Sequence, residues 1–152
     1  MTPTSFVKAI DRVAIAVRDL DRARSFFEDA FGARFDPVED VKVMQFRYQP
    51  FTLGGFQMEL LCPYEESSVI AKFLEGRGEG VHHVTFVVEN LDAAIAELEA
   101  KGVPVVARMR YPENVTFEGF HWDEAFVHPK DAFGVLVHLA QKTKAEKPND
   151  VS

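Results

Sequence analysis

The stretch Ile10-Asp11-Arg12-Val13-Ala14-Ile15-Ala16-Val17-Arg18-Asp19-Leu20-Asp21 returns 71 positions later as Val81-His82-His83-Val84-Thr85-Phe86-Val87-Val88-Glu89-Asn90-Leu91-Asp92. In the first copy Val13, Ile15 and Val17 alternate with Arg12, Ala14 and Ala16, the period of a strand with two unlike faces. In the second, His83, Thr85 and Val87 take the places of Arg12, Ala14 and Ala16, while Val84, Phe86 and Val88 form the bulky set. Such self-similarity predicts two supersecondary units sharing a core, with equivalent positions meeting about a pseudo-twofold axis. A common site is expected where the halves meet.

Working outward, Asp19 or Asp21 can cap a helix over Leu20 to Phe31, whose apolar stripe of Ala23, Phe26, Phe27, Ala30 and Phe31 ends at Gly32. Strands follow near Val41 to Tyr48 and Gly55 to Cys62, with a turn expected over Gln49 to Gly54. A short helix near Ser67 to Glu75 leads to the repeat: a strand from Val81 to Val88, a helix from Leu91 to Lys101 and strands near 105–108, 123–127 and 134–140. Each half therefore reads β-α-β-β-β, and the fold class is α+β. The layout predicts a single domain over residues 1–152, with one module at about 8–63, a linker at 64–79, a second module at about 80–141 and a mobile tail from Lys142.

Composition narrows the function classes. With 152 residues, 47% of them hydrophobic, the chain is expected to bury one core and to be too short for two independent enzyme domains. A net charge of −7 argues against nucleic acid or an anionic membrane as the main partner. One cysteine, Cys62, excludes an internal disulfide, no apolar run reaches the ~20 residues that span a bilayer, and no export signal is evident. The expected setting is cytoplasmic and the expected partner a small molecule.

Strand alternation isolates four ionisable side chains in otherwise apolar surroundings: Arg12, Glu59, His83 and His138, with Glu59 in Phe56 to Leu61 matching His138 in Val135 to Ala140. A charge at such a position is costly unless paired, neutralised or bound to metal. His82, next to His83, should face the opposite way and pack as a structural histidine. His128, in His-Pro-Lys, is expected to order its loop, and the aromatic stretch from Tyr111 to Trp122 to form a lid or pack on a second subunit.

At these residues the chain resembles the vicinal oxygen chelate superfamily of glyoxalases, bleomycin-resistance proteins and extradiol dioxygenases, and within it the methylmalonyl-CoA epimerases. The likeness runs over about residues 8–141. It rests on Ile10 to Val17, Glu59-Leu60-Leu61-Cys62-Pro63, Ile70-Ala71-Lys72-Phe73-Leu74, Arg77-Gly78-Glu79-Gly80-Val81-His82-His83, and His128-Pro129-Lys130 leading to Gly134 to Leu139. It implies a glyoxalase-like, half-open cup of two β-α-β-β-β modules, commonly packed as a homodimer. Its metal ligands would come from the positions of Arg12, Glu59, His83 and His138.

Two departures stand out against that pattern. Arg12 occupies a position ordinarily held by histidine and cannot become a ligand; His138 stands where the epimerases have glutamate. The implied ligand set is then Glu59, His83 and His138, a donor set suited to Zn, Co, Ni, Mn or Fe(II), or holding no metal if Arg12 pairs with Glu59 instead. Of the acidic residues near the family's proton-transfer segment, Glu39 and Asp40, the candidate base is Glu39. Arg12 is the candidate electrostatic partner of a substrate carboxylate or enolate oxygen.

Three functions follow as expectations. The first is isomerase-type chemistry through a stabilised enolate on a small carbonyl or thioester substrate. The second is metal-free sequestration of an apolar or aromatic compound, as in the bleomycin-resistance branch. The third is metal-dependent dioxygenase or lyase chemistry.

Overall fold

The structure, a computed structural model, describes residues 5–146. The chain divides into two compact units. The N-terminal unit holds residues 11–85; the C-terminal unit holds, among the described residues, 5–10 and 86–146. The division falls inside two strands, β1 (Val7–Ala16) and β6 (Gly80–Val88).

In the N-terminal unit β1 leads to α1 (Leu20–Phe31), β2 (Arg34–Phe35), β3 (Glu39–Val41), β4 (Phe46–Leu53), β5 (Phe56–Pro63) and α2 (Val69–Arg77). The strands lie in the order β2-β4-β5-β1-β6, with β3 also on β4. β1 runs parallel to β5, and β4 antiparallel to β5. Facing pairs share a side of a sheet, so the register sorts the residues into two faces. Ile15, Val17, Phe35, Phe51, Met58 and Leu60 pack with Leu20, Ala23 and Phe27 of α1. The opposite face carries Arg12, Ala14, Ala16, Tyr48, Glu59 and Leu61.

The C-terminal unit follows the same plan with α3 (Leu91–Ala100), β7 (Val106–Arg110), β8 (Phe120–Val127) and β9 (Val137–Lys144). Counting β6 from Phe86, its strand order is β6-β9-β8-β7. Val88, Ala125, Val127 and Leu139 close a core with Leu91 and Ala94 of α3. Burying each of the larger side chains contributes about 1.5–3 kcal/mol. The fold is α+β, with a β-α-β-β-β order in each half and the short β3 added in the first.

The repeat extends to the helix caps. Asp19 accepts from the Arg22 amide and Asn90 from the Ala93 amide, each at 3.0 Å, so equivalent residues satisfy equivalent orphan donors. Gly32 ends α1 in the left-handed region (φ 72°), where glycine carries no steric penalty.

The structure corrects several expectations. The turn read over Gln49 to Gly54 is strand up to Leu53: Pro50 lies opposite Glu59 and its carbonyl accepts from the Asp36 amide at 2.9 Å, and the chain reverses at Gly54-Gly55 (φ 59° and 77°). Successive positive φ values there match a tight hairpin whose twist suits the strands. The short helix begins two residues later than read, behind the Ser68 cap. Lys142 to Lys144, expected in a mobile tail, belong to β9 beside Phe120 to Trp122, and the Lys142 ammonium sits over the Phe120 and Trp122 rings at 4.5 and 5.0 Å; positions 147–152 of that tail lie outside the described residues. Phe26 and Phe31, read as core, are more than half exposed, because Ala23 and Phe27 are the members of that stripe that meet the sheet. The stretch from Tyr111 to Trp122 holds a turn at Glu118-Gly119 and the start of β8.

Replacing Asp19 or Asn90 by Ala is expected to destabilise the protein by about 1 kcal/mol each, read as a lower urea midpoint. An unchanged midpoint would remove the caps from this account.

Candidate functional site

β1 and β5 lie side by side with Ala14 opposite Glu59, so Arg12, two residues before Ala14, shares a face with Glu59. Alanine at 14 and 16 leaves that face open to the longer side chains. Arg12 Nη1 donates to Glu59 Oε2 at 3.0 Å, and Arg12 Nε donates to Asp11 Oδ2 at 2.6 Å. His83, from β6, brings Nε2 to 3.5 Å from Glu59 Oε1, and His82 Nδ1 lies 2.8 Å from His83 Nδ1. Arg12, Glu59 and His83 are 3%, 7% and 9% exposed, so the centre of this five-residue chain is shielded from water.

Protonation follows from the contacts. Burial pushes the Glu59 carboxyl up, but the hydrogen bond with His83 and the charge of Arg12 outweigh it, and the group titrates below its ordinary value. An ionised carboxylate facing Nε2 holds a proton there. The Nδ1 pair needs one donor and one acceptor, so in neutral His83 the lone pair sits on Nδ1 and receives the proton of His82 Nδ1. Donation then runs from His82 through His83 to Glu59, with Arg12 donating from the other side.

This arrangement does not fit a divalent ion held within the N-terminal unit. A ligating imidazole must offer a lone pair, and the His83 nitrogen that faces this site, Nε2, holds its proton toward Glu59 while Nδ1 faces His82. Both Glu59 oxygens already face cationic or N–H partners. Unit charges 4 Å apart repel by about 4 kcal/mol at an effective dielectric of ~20, and a dication near the guanidinium doubles that. Among the described residues no group of three or more His, Cys, Asp or Glu is gathered to hold a metal.

The register also separates the two acidic candidates. Glu39 lies opposite Tyr48, and Tyr48 opposite Leu61, so Glu39 is on the face of Glu59 and Arg12, two strands from β5. Asp40 falls on the other face, 3.6 Å from Arg47 Nε.

Of the implied ligands, the structure brings Glu59 and His83 together, while His138 belongs to the C-terminal unit. There it stacks on Phe126 (4.9 Å, 20°), lies parallel to Trp122 (6.4 Å, 10°) and bonds through Nε2 to Glu124. Burial, then the charge and hydrogen bond of Glu124, raise the Tyr111 phenol above its ordinary value. Sequence reading misses Glu124, although alternation in Trp122-Asp123-Glu124-Ala125-Phe126 sets it between two aromatic residues on one face. It also misses Asp11 and the link from His82 to His83. His82 does pack edge-on against Phe73 of α2, at 4.8 Å, as its parity predicts. His128 orders its loop by accepting from the Lys130 amide at 3.1 Å.

Cys62 lines an open cleft of about 470 Å³ with Arg18, Arg47 and Tyr64. Burial pushes its thiol up. A protonated thiol is a poor nucleophile, so nothing here points to covalent chemistry.

Known proteins resemble this chain in sequence and in fold. The mitochondrial methylmalonyl-CoA epimerase of Mus musculus is 36% identical over 134 residues, 87% of this chain and 72% of the mouse protein. The crystal structure of methylmalonyl-CoA epimerase from Mycobacterium tuberculosis matches with a TM-score of 0.78 at 35% identity, covering 94% of this chain and 93% of its own. A methylmalonyl-CoA epimerase in complex with methylmalonyl-CoA and NH4+ matches with a TM-score of 0.77 at 30% identity, covering 93% and 99%. A family model described as the Glyoxalase/Bleomycin resistance protein/Dioxygenase superfamily covers residues 11–126. The chain belongs to that superfamily.

Proposed function

We propose that this protein removes the proton α to the carbonyl of an acyl-CoA thioester and returns one to the opposite face, the reaction of a methylmalonyl-CoA epimerase. The observation that carries the reading is a buried guanidinium, clamped by Asp11 and Glu59, on the same sheet face as Glu39. In this reading Glu39 takes the α-proton, the carbonyl π electrons move onto oxygen, and the Arg12 charge stabilises the enolate oxygen. The enolate carbon is planar, so reprotonation from the other side inverts the centre. A similar epimerase has been solved in complex with methylmalonyl-CoA and NH4+, which supports this substrate class.

A second reading draws on the saturation of the cluster. Asp11, Arg12, Glu59, His83 and His82 satisfy one another, as a metal-free binding protein of the bleomycin-resistance type would require. Replacing His83 or His138 by Ala would then leave ligand affinity unchanged.

Incubation with methylmalonyl-CoA in D2O, followed by proton NMR, separates the two readings. The α-proton signal is expected to disappear with wild type and to do so about 10²–10⁴-fold more slowly with Glu39→Gln. No exchange with wild type on any α-acidic acyl-CoA sinks the enzyme reading, and unchanged exchange in the variant removes Glu39 from it.

The lowered titration of Glu59 predicts a pH signature. Its folded value lies below the unfolded one, so the stability it contributes is fully present above the unfolded value, near 4.5, and is lost as pH falls through the folded value. Glu59→Gln is expected to be less stable than wild type at neutral pH, with the difference narrowing below pH 4.5. Urea midpoints of both proteins over that range check this, and a constant difference overturns it.

A further inference from the structure

We infer that the guanidinium of Arg12 replaces a divalent ion, so that the protein receives its substrate's anionic oxygen on its own side chain and works without metal. The role toward substrate rests on the thioester reading above; the exclusion of metal stands on the geometry alone. Three observations converge on it. Arg12 lies at the place in β1 where the family resemblance implies a histidine ligand, and it carries a fixed positive charge that cannot be lost near neutral pH. It is anchored twice, at Nε by Asp11 (2.6 Å) and at Nη1 by Glu59 (3.0 Å), so its plane is set and it cannot swing aside without breaking both carboxylate contacts.

The two remaining ligand positions of this unit are engaged as well. The Glu59 carboxylate lies between Arg12 and His83, whose Nε2 faces it, and His83 Nδ1 lies against His82. A metal entering here must displace the guanidinium from Glu59 and take the place of the His83 Nε2 proton. A guanidinium suits the enolate oxygen of a thioester for the same reason it suits a carboxylate. Its charge is delocalised over a planar group whose N–H bonds point outward at fixed angles, so an oxygen is met by oriented donors without any loss of solvent from a metal centre.

Metal binding is read independently of catalysis. Wild-type protein, as purified, is expected to contain no stoichiometric transition metal by elemental analysis. Co(II) titrated into it is expected to give neither a ligand-field absorption band nor a shift in melting temperature. Thioester exchange is expected to be unchanged by a chelator. Arg12→His, which restores a third ligand beside Glu59 and His83, is expected to gain one equivalent of Co(II) with its absorption band. One bound equivalent in wild type, or exchange that a chelator abolishes and metal restores, overturns the inference. Should wild type show no exchange under any condition, the thioester reading fails, and the Co(II) titration of wild type still decides the metal question. That titration needs no variant, so a failure of Arg12→His to fold leaves the decision intact.

Discussion

A guanidinium withdrawn from water must be held by carboxylates, and the face of the N-terminal unit opposite α1 is organised around that requirement. Arg12 meets Asp11 and Glu59 because β1 runs beside β5 in parallel, which sets Ala14 against Glu59 and leaves only small residues at 14 and 16 to cover. Losing one member of a buried pair costs about 3–5 kcal/mol, whereas replacing the whole pair by well-packed apolar residues is often neutral or stabilising. Stability alone therefore gives no reason to keep such a cluster. His83 and His82 extend the network to the strand and helix beyond, so the position of the guanidinium is fixed from both sides of the unit.

Much of the fold is legible because the repeat and the two-residue period agree. Ile15 and Val17 face α1 as the alternation requires, and Asp19 and Asn90 cap their helices at matching places. The failures have local causes. Pro50 and Gly54 read as turn residues, yet Pro50 tolerates a strand between β5 and the Asp36 amide, and only the two glycines reverse the chain. The stripe on α1 is wider than the strip of sheet beneath it, so Phe26 and Phe31 remain wet.

The ionisable positions of the site are legible for a different reason: each interrupts an apolar strand. Their partners are not, because period-two reasoning assigns neighbouring residues to opposite faces. Arg12 bends back to Asp11, and His83 reaches His82 through ring nitrogens that parity says nothing about. The pairing of His138 with Glu124 is likewise a cross-strand diagonal that only the register of β8 and β9 reveals.

Among the described residues the two cores share none: one closes around Leu60 and Phe51, the other around Leu91 and Leu139. Substitutions that do not share partners tend to add rather than interfere. A substitution that reshapes the packing around Leu60 therefore leaves the packing around Leu139 as it was, and each half can be repacked on its own.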